Sequence, residues 1–231
     1  MSATELPLKE RLLDAILPHV AFDGWSETAL AAATEDLGIS NEELRAACPR
    51  GAIELAVAYH RRGDAAMVAR LEEADLSEMR FRDKVAEALK IRVGAMDNRE
   101  AVRRASTFFA LPTNAGDGAK LVWETADHVW NALGDTSQDV NWYSKRATLS
   151  GVWASTVLFW LGDESEGATE TLSFIDRRID DVMQFEKVKA QMRKNPVTKP
   201  LMAALGSLAR NVRAPVSSRF DDLPGRWTPP S

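Results

Sequence analysis

Apolar side chains return every three to four residues along most of this chain, and that spacing predicts helices almost throughout. Leu8, Leu12, Ile16 and His19 fall at i, i+4, i+8 and i+11, a first helix ended near the stretch AFDGW. Ser26 is placed to cap a second helix, ETALAAATEDLG, with Gly38 as its stop. Ser40, with Glu43 three residues on, makes a capping box for a third, NEELRAAC. Two short helices joined by LGIS read as a helix-turn-helix. After Pro49 and Gly51 a longer helix runs to about Asp75. Phe81 to Met96, Glu100 to Leu111, Gly118 to Leu133, Trp142 to Leu161 and Ala168 to Lys189 follow, with breaks at PTN, GDTSQDV and GDESEG. No strand-like alternation of useful length and no internal repeat occurs.

Aromatic residues sharpen this pattern. Leu149, Val152/Trp153, Thr156/Val157 and Trp160 form an apolar stripe about three turns long. Trp123 and Trp130, seven apart on the preceding helix, share a face and could join it. A core so rich in tryptophan is either simply packed or shaped around a bulky apolar guest. Trp142 and Tyr143 differ, because they sit in the first turn after a polar loop. Neighbours on a helix point about 100° apart, so at least one is expected to reach the surface. Asp139 is the expected N-cap, and Lys145 and Arg146 are placed to pair with acids of the neighbouring helix.

Charge divides the chain. Its 231 residues carry a net −5, but Gln184 to Ser231 holds nine Lys/Arg against three acids, leaving −11 on the preceding body. A basic tail on an acidic body points the tail at polyanions such as anionic membranes. Within it, PLMAALGSLARNVRAP puts Leu201, Met202, Leu205, Leu208 and Val212 on one arc, with Lys199, Arg210 and Arg213 opposite. Such an amphipathic helix suits a membrane interface; packing on the body or on a dimer mate is the alternative. The last twenty residues are turn-rich and read as a loose end. The N-terminus lacks the features of a secretory signal, and no run of about eighteen apolar residues is present to span a bilayer.

Several chemistries find no support. Cys48 stands alone, so neither an internal disulfide nor a CxxC metal site is available. His19, His60 and His128 are scattered, and Glu124 with His128 is i, i+4 rather than the i, i+3 spacing of carboxylate-bridged di-iron bundles. NAGDGAK lacks phosphate-loop spacing, and there is no GxSxG elbow. Metal and cofactor are therefore expected to be none. The helix-turn-helix has the wrong sign for a DNA reader: Glu27, Glu35, Asp36, Glu42 and Glu43 face only Arg45 and Arg50. It reads as a packing unit, and no nucleic-acid partner is expected.

GDTSQDVNWYSKRATL, with LPTN before it and TLSFIDRRIDDVM after it, resembles the signature of the ubiquinone-biosynthesis accessory family, the ninth member of the Coq series, in a bacterial version. The resemblance covers roughly Leu6 to Met192 and is most specific over Gly134 to Arg146 and Phe174 to Asp181. It implies an all-α, TetR-like helical bundle, usually a homodimer, with a vestigial N-terminal helix-turn-helix and a C-terminal amphipathic helix. The family is not itself catalytic. Its cavity holds a lipid or isoprenoid quinone precursor, presented to a di-iron demethoxyubiquinone hydroxylase. Position carries the family's hydroxylase-binding patch over to Asp139, Trp142 and Tyr143, with Val129 and Trp130 as further candidates. The terminal membrane helix matches Pro200 to Arg213 by pattern and location. Ser144 and Lys145 stand where relatives often carry Thr and Arg. Periodicity nominates Phe108, Phe109, Trp123, Trp153, Val157 and Trp160 as cavity lining.

The expected organisation is a helix-turn-helix-like region over 1–49, a lipid-binding domain over 50–190, and a basic linker, membrane helix and flexible end over 191–231. The expected function is a non-catalytic lipid-binding accessory protein, cytoplasmic and peripheral to a bacterial inner membrane. The competing readings are a TetR-type regulator sensing an apolar ligand, which requires salt-sensitive duplex binding, and an enzyme with dispersed catalytic carboxylates on a helical scaffold.

Overall fold

The computed structural model describes residues 6–194 and the side-chain surroundings of residues 6–184. The elements are α1 (Leu8–Asp23), α2 (Glu27–Leu37), α3 (Asn41–Ala47), α4 (Ala52–Glu73), α5 (Phe81–Gly94), α6 (Arg99–Ala110), α7 (Ala115–Ala132), α8 (Val140–Gly162) and α9 (Thr169–Lys194), with a short 3-10 turn before α9. The described residues contain no strand. Leu201, Met202, Leu205, Leu208 and Val212, the expected membrane stripe, lie outside them.

Local chemistry sets the boundaries. Ser26 Oγ accepts from the Ala29 N–H, and Gly38, at φ +61°, closes α2 by donating to Glu35 and Thr34 carbonyls. The Ser40–Glu43 capping box is complete, each side chain satisfying the other residue's backbone N–H. Asp139 Oδ1 accepts from Asn141 N–H at 2.9 Å and opens α8. Each such cap contributes about 1 kcal/mol by satisfying donors that the first helical turn leaves without partners.

Two apolar cores form. The smaller packs Leu12, Leu13, Ile16 and Val20 of α1 against Ala29, Leu30 and Ala33 of α2, Leu55 and Ala56 of α4, and Ala101 of α6. The larger joins Met67 and Leu71 of α4 to Val85 and Leu89 of α5, Val129 and Trp130 of α7, Leu149, Trp153 and Trp160 of α8, and Ile175 and Ile179 of α9. α4, 22 residues or about 33 Å long, therefore contributes its first turns to one core and its last turns to the other. Trp25, in the α1–α2 turn, ties α6 into the smaller core by donating its indole N–H to the Ala101 carbonyl at 3.1 Å. Among the described residues no helix is long and apolar enough to cross a membrane.

Candidate functional site: a cavity and an aromatic patch on α7 and α8

A cavity of about 510 Å³ lies between the two cores, walled by the middle of α4, the end of α5, and α6, α7 and α8. That volume falls within the range of sites that enclose small ligands. Val102, Ala105, Leu121, Val122, Ala154 and Val157 supply much of its apolar wall. Leu158, 67% exposed, marks where it reaches the surface. α6 and α7 approach closely at one end, where a Cβ on Gly118 would fall 2.8 Å from the Phe109 Cβ.

One wall is polar and tightly organised. Arg92 donates from Nε to Asp64 Oδ1 at 2.7 Å and from Nη2 to the His60 carbonyl at 2.9 Å. Its guanidinium also lies 5.1 Å from the centre of the Trp153 ring. Thr125 Oγ1 donates to Asp64 at 2.9 Å, and His60 Nε2 lies 2.8 Å from the same hydroxyl. Because the hydroxyl has one proton and gives it to Asp64, the His60 ring is assigned as the donor through Nε2–H. Burial pulls the His60 pKa down to about 4, against the smaller upward pull of Asp64, so the imidazole is neutral at pH 7. Gly63 makes room for this arrangement, since a Cβ there would fall 2.5 Å from Arg92 Cζ. At the cavity's edge, burial and a hydrogen bond to Asp97 push the Tyr59 phenol well above its ordinary range.

The second feature lies on the outer side of the same helix pair. Trp123, Trp142 and Tyr143 form a half-exposed cluster, with ring centres 5.9 Å apart for Trp123–Trp142 and 4.7 Å for the edge-on Trp142–Tyr143 pair. Arg146 supports it from beneath: its guanidinium sits 4.0 Å from the Trp142 ring centre and donates to the Trp142 carbonyl at 3.3 Å. The same group donates to Asp127 at 2.5 Å, Asn131 at 3.0 Å and Asp135 at 3.1 Å, so α8 is pinned to α7 and to the loop between them. Lys145 bonds Asp135 and Ser137, both at 2.7 Å. Burial raises the Asp135 pKa, but the hydrogen bonds from Lys145, Ser137 and Arg146 outweigh it and hold the group at about 2.

The residues nominated from sequence separate into three groups. Phe109, Trp153 and Val157 line the cavity. Phe108, Trp123 and Trp160 do not: Phe108 packs on the smaller core, Trp123 joins the surface cluster, and Trp160 is buried beneath the Arg99 guanidinium at 4.7 Å. Of the patch candidates, Asp139, Trp142 and Tyr143 lie together at the start of α8. Val129 and Trp130 are instead covered by the larger core, where Phe81 stacks on Trp130 at 5.7 Å, so the patch is narrower than expected and takes Trp123 in their place. Sequence reasoning missed the polar wall. The available signal was an Asp and a Gly at inward positions of α4 and an Arg among the apolar positions of α5, since charged residues are seldom fully buried unless paired. Among the described residues no group of His, Cys, Asp and Glu is arranged to hold a metal ion.

An all-helical bundle with a short helix-turn-helix at one end and a ligand-sized cavity between the remaining helices is the TetR-like class. The TetR transcriptional regulator of Nitrosomonas europaea superposes with a TM-score of 0.61 over 76% of this chain and 97% of that one, at 20% identity, which shows the shared fold. Residues 115–186, which span both α7 and α8, match the COQ9 family model. Curated relatives include the probable ubiquinone biosynthesis protein coq9, mitochondrial, of Dictyostelium discoideum, 28% identical over 191 residues and 79% of this chain. The rat and human ubiquinone biosynthesis proteins COQ9, mitochondrial, are 27% and 26% identical, each over 201 residues and 82% of this chain. The matched stretch spans 62% of the Dictyostelium protein's length and 63% of the rat protein's.

Proposed function

We propose that this chain serves ubiquinone biosynthesis as a non-catalytic lipid-binding protein that holds an isoprenoid quinone precursor and presents it to a di-iron hydroxylase. The observation that carries the reading is the pairing of an apolar-walled cavity with a half-exposed aromatic cluster on the two sides of one helix pair, inside the stretch that matches the COQ9 model. A polyisoprenoid tail is nearly insoluble in water. Burying its methylenes in the cavity, at about 0.8 kcal/mol each, compensates for lifting them out of lipid. Trp142 and Tyr143, large rings with polar edges, are the kind of residue that anchors a protein partner. In this reading the protein is a homodimer, peripheral to a bacterial inner membrane, with Leu201, Met202, Leu205, Leu208 and Val212 as its membrane contact.

The test is mass spectrometry of small molecules released from purified protein by denaturation, run beside liposome flotation of the full chain and of a chain ending at Asn195. A prenylated aromatic in the extract, with flotation lost on truncation, is the expected result. A protein that carries no lipid and floats equally well without its tail would overturn the proposal. The fold and cavity also suit a regulator that senses an apolar ligand. Salt-sensitive binding to a specific duplex would favour that second reading.

A further inference from the structure

α6 is tied down at its first turns and left free of side-chain ties toward its end. Asn98 Oδ1 accepts from the Ala101 N–H at 2.9 Å, and the Ala101 carbonyl accepts from the Trp25 indole at 3.1 Å. Arg99 donates to the Asp163 carbonyl and Arg104 to the Ala21 carbonyl at 3.1 Å, so this end is held to α1 and to the close of α8. Beyond Arg104 no α6 side chain makes a hydrogen bond or ion pair to another element among the described residues; Ser106 and Thr107 donate to carbonyls of their own helix. The Phe108 carbonyl accepts from Asn114 Nδ2 in the turn that follows, at 3.1 Å, and from the Leu111 N–H at a long 3.4 Å. Burial falls along the helix in the same way. Of the five helices that wall the cavity, α6 buries one residue, Ala101, whereas α4, α5, α7 and α8 bury five to eight each. Ala110 is exposed, as is Leu111 just past the end.

The loosely held half is the half that faces the cavity. Ala105, Ser106, Phe109 and Ala110 line it, together with Val157 and Leu158 of α8. Phe108 and Phe109 rest at the edge of the smaller core without being buried in it. Phe109 sits directly against α7 because Gly118 has no side chain: a Cβ there would fall 2.8 Å from the Phe109 Cβ and 3.3 Å from the Phe109 carbonyl oxygen. A guest that fills about 510 Å³ has to displace part of the wall on its way in. The part that yields is the part whose opening breaks the fewest tertiary bonds and exposes the least buried apolar surface. We infer that α6 is the gate of this cavity: residues 105–110 swing outward on the anchored turns at 98–104, and the seat of Phe109 on Gly118 is the latch that holds them closed. The inference rests on the reading that the cavity takes up an apolar guest, and it adds the route by which the guest enters and leaves.

The test ties the latch shut and measures traffic through the gate. In the full chain, Phe109→Cys with Gly118→Cys places two thiols across the α6–α7 contact, close to the Cβ separation of about 3.8 Å that a disulfide takes up; Cys48→Ala leaves only that pair to form. The probe is N-phenyl-1-naphthylamine, a neutral apolar dye that fluoresces out of water, with entry followed by stopped flow and exit by dilution. The reduced form of the same variant is the control. Oxidation should slow entry and exit together by about tenfold or more and leave the affinity within about threefold, because a gate sets the rate of passage and not the fit of the guest. Gly118→Ala, whose methyl pushes Phe109 off its seat, should speed both rates severalfold, and it tests the latch without a disulfide. Equal rates in the oxidised and reduced forms, or unchanged rates in Gly118→Ala, overturn the gate and leave the lipid-carrying function standing. A change of affinity with exit unaltered also overturns it, since the pair would then reshape the wall only. If the dye does not enter the wild-type protein at all, the cavity reading and the gate fall together.

Discussion

Between pH 7.5 and 5.0, acidification should weaken this protein chiefly through one side chain, His60. Its pKa falls from the ordinary 6.5 to about 4, chiefly because burial disfavours the charged ring. Between those values the unfolded chain binds a proton that the folded protein does not. Stability is therefore fully present above about pH 6.5 and is lost as pH falls toward 4. Each unit of difference is worth about 1.4 kcal/mol, so the whole gap amounts to about 3 kcal/mol, and moving from pH 7.5 to pH 5.0 should remove about 2 kcal/mol. Urea unfolding at the two pH values, followed by tryptophan fluorescence, measures this directly. His60→Gln is the control, since a side-chain amide can still donate to Thr125 but does not titrate. The variant should lose about 2 kcal/mol less than wild type over the same interval. Equal losses in the two proteins, or an NMR titration of the His60 ring near pH 6.5, would refute the account of the polar wall as a dry, charge-balanced network. Asp135, held at about 2 by Lys145, Ser137 and Arg146 against burial, does not confound the comparison, because its contribution is lost only as pH falls through the range below 4.

Two further outcomes follow from the α7–α8 pair. Arg146→Met should cost about 1.5–3 kcal/mol in denaturant unfolding, because it removes the charged hydrogen bonds to Asp127, Asn131 and Asp135, the last of which keeps Lys145. A loss below about 1 kcal/mol would mean the network is surface-like. Trp142→Ala and Tyr143→Ala, both at half-buried positions, should shift the thermal midpoint by only a few degrees while, on the proposed function, sharply reducing co-purification of a di-iron hydroxylase. Severe unfolding in both variants would make the cluster part of the core rather than a docking surface.

Features set by neighbours along the chain were legible in the amino-acid sequence. The Ser26 and Asp139 caps, the Ser40–Glu43 box and the Gly38 stop each rest on residues within four positions, and each is where the chain pattern puts it. Periodicity also marked the faces of the helices, but a face does not say what covers it. Trp123 and Trp130 share a face of α7. Phe81 of α5 and the larger core cover Trp130, whereas Trp123 meets Trp142 and Tyr143 at the surface. Phe108 and Phe109 are adjacent, so they point about 100° apart; only Phe109 reaches the cavity. The polar wall was hidden for the same reason, since Arg92 and Asp64 are 28 residues apart and Thr125 is 61 from Asp64. No local spacing encodes partners so far apart.

Several acids of the helix-turn-helix serve its packing. Glu43 closes the capping box of α3, and Glu27 accepts from the Ala52 N–H at the start of α4 at 3.2 Å. Asp36 pairs with His19 at 2.7 Å across α1 and α2. Glu27 and Asp36 thereby link α2 to α4 and α1, which pack Leu12, Leu13, Ile16, Leu30 and Leu55 into the smaller core. Exchanging Glu27 and Glu43 for the cations a duplex requires would remove caps worth about 1 kcal/mol each from α4 and α3. Left in place, they oppose phosphate, because counterion release supplies most non-specific DNA affinity and acidic residues reverse its sign. The same carboxylates that serve packing at this end of the molecule disfavour a duplex there, which weighs against the regulator reading.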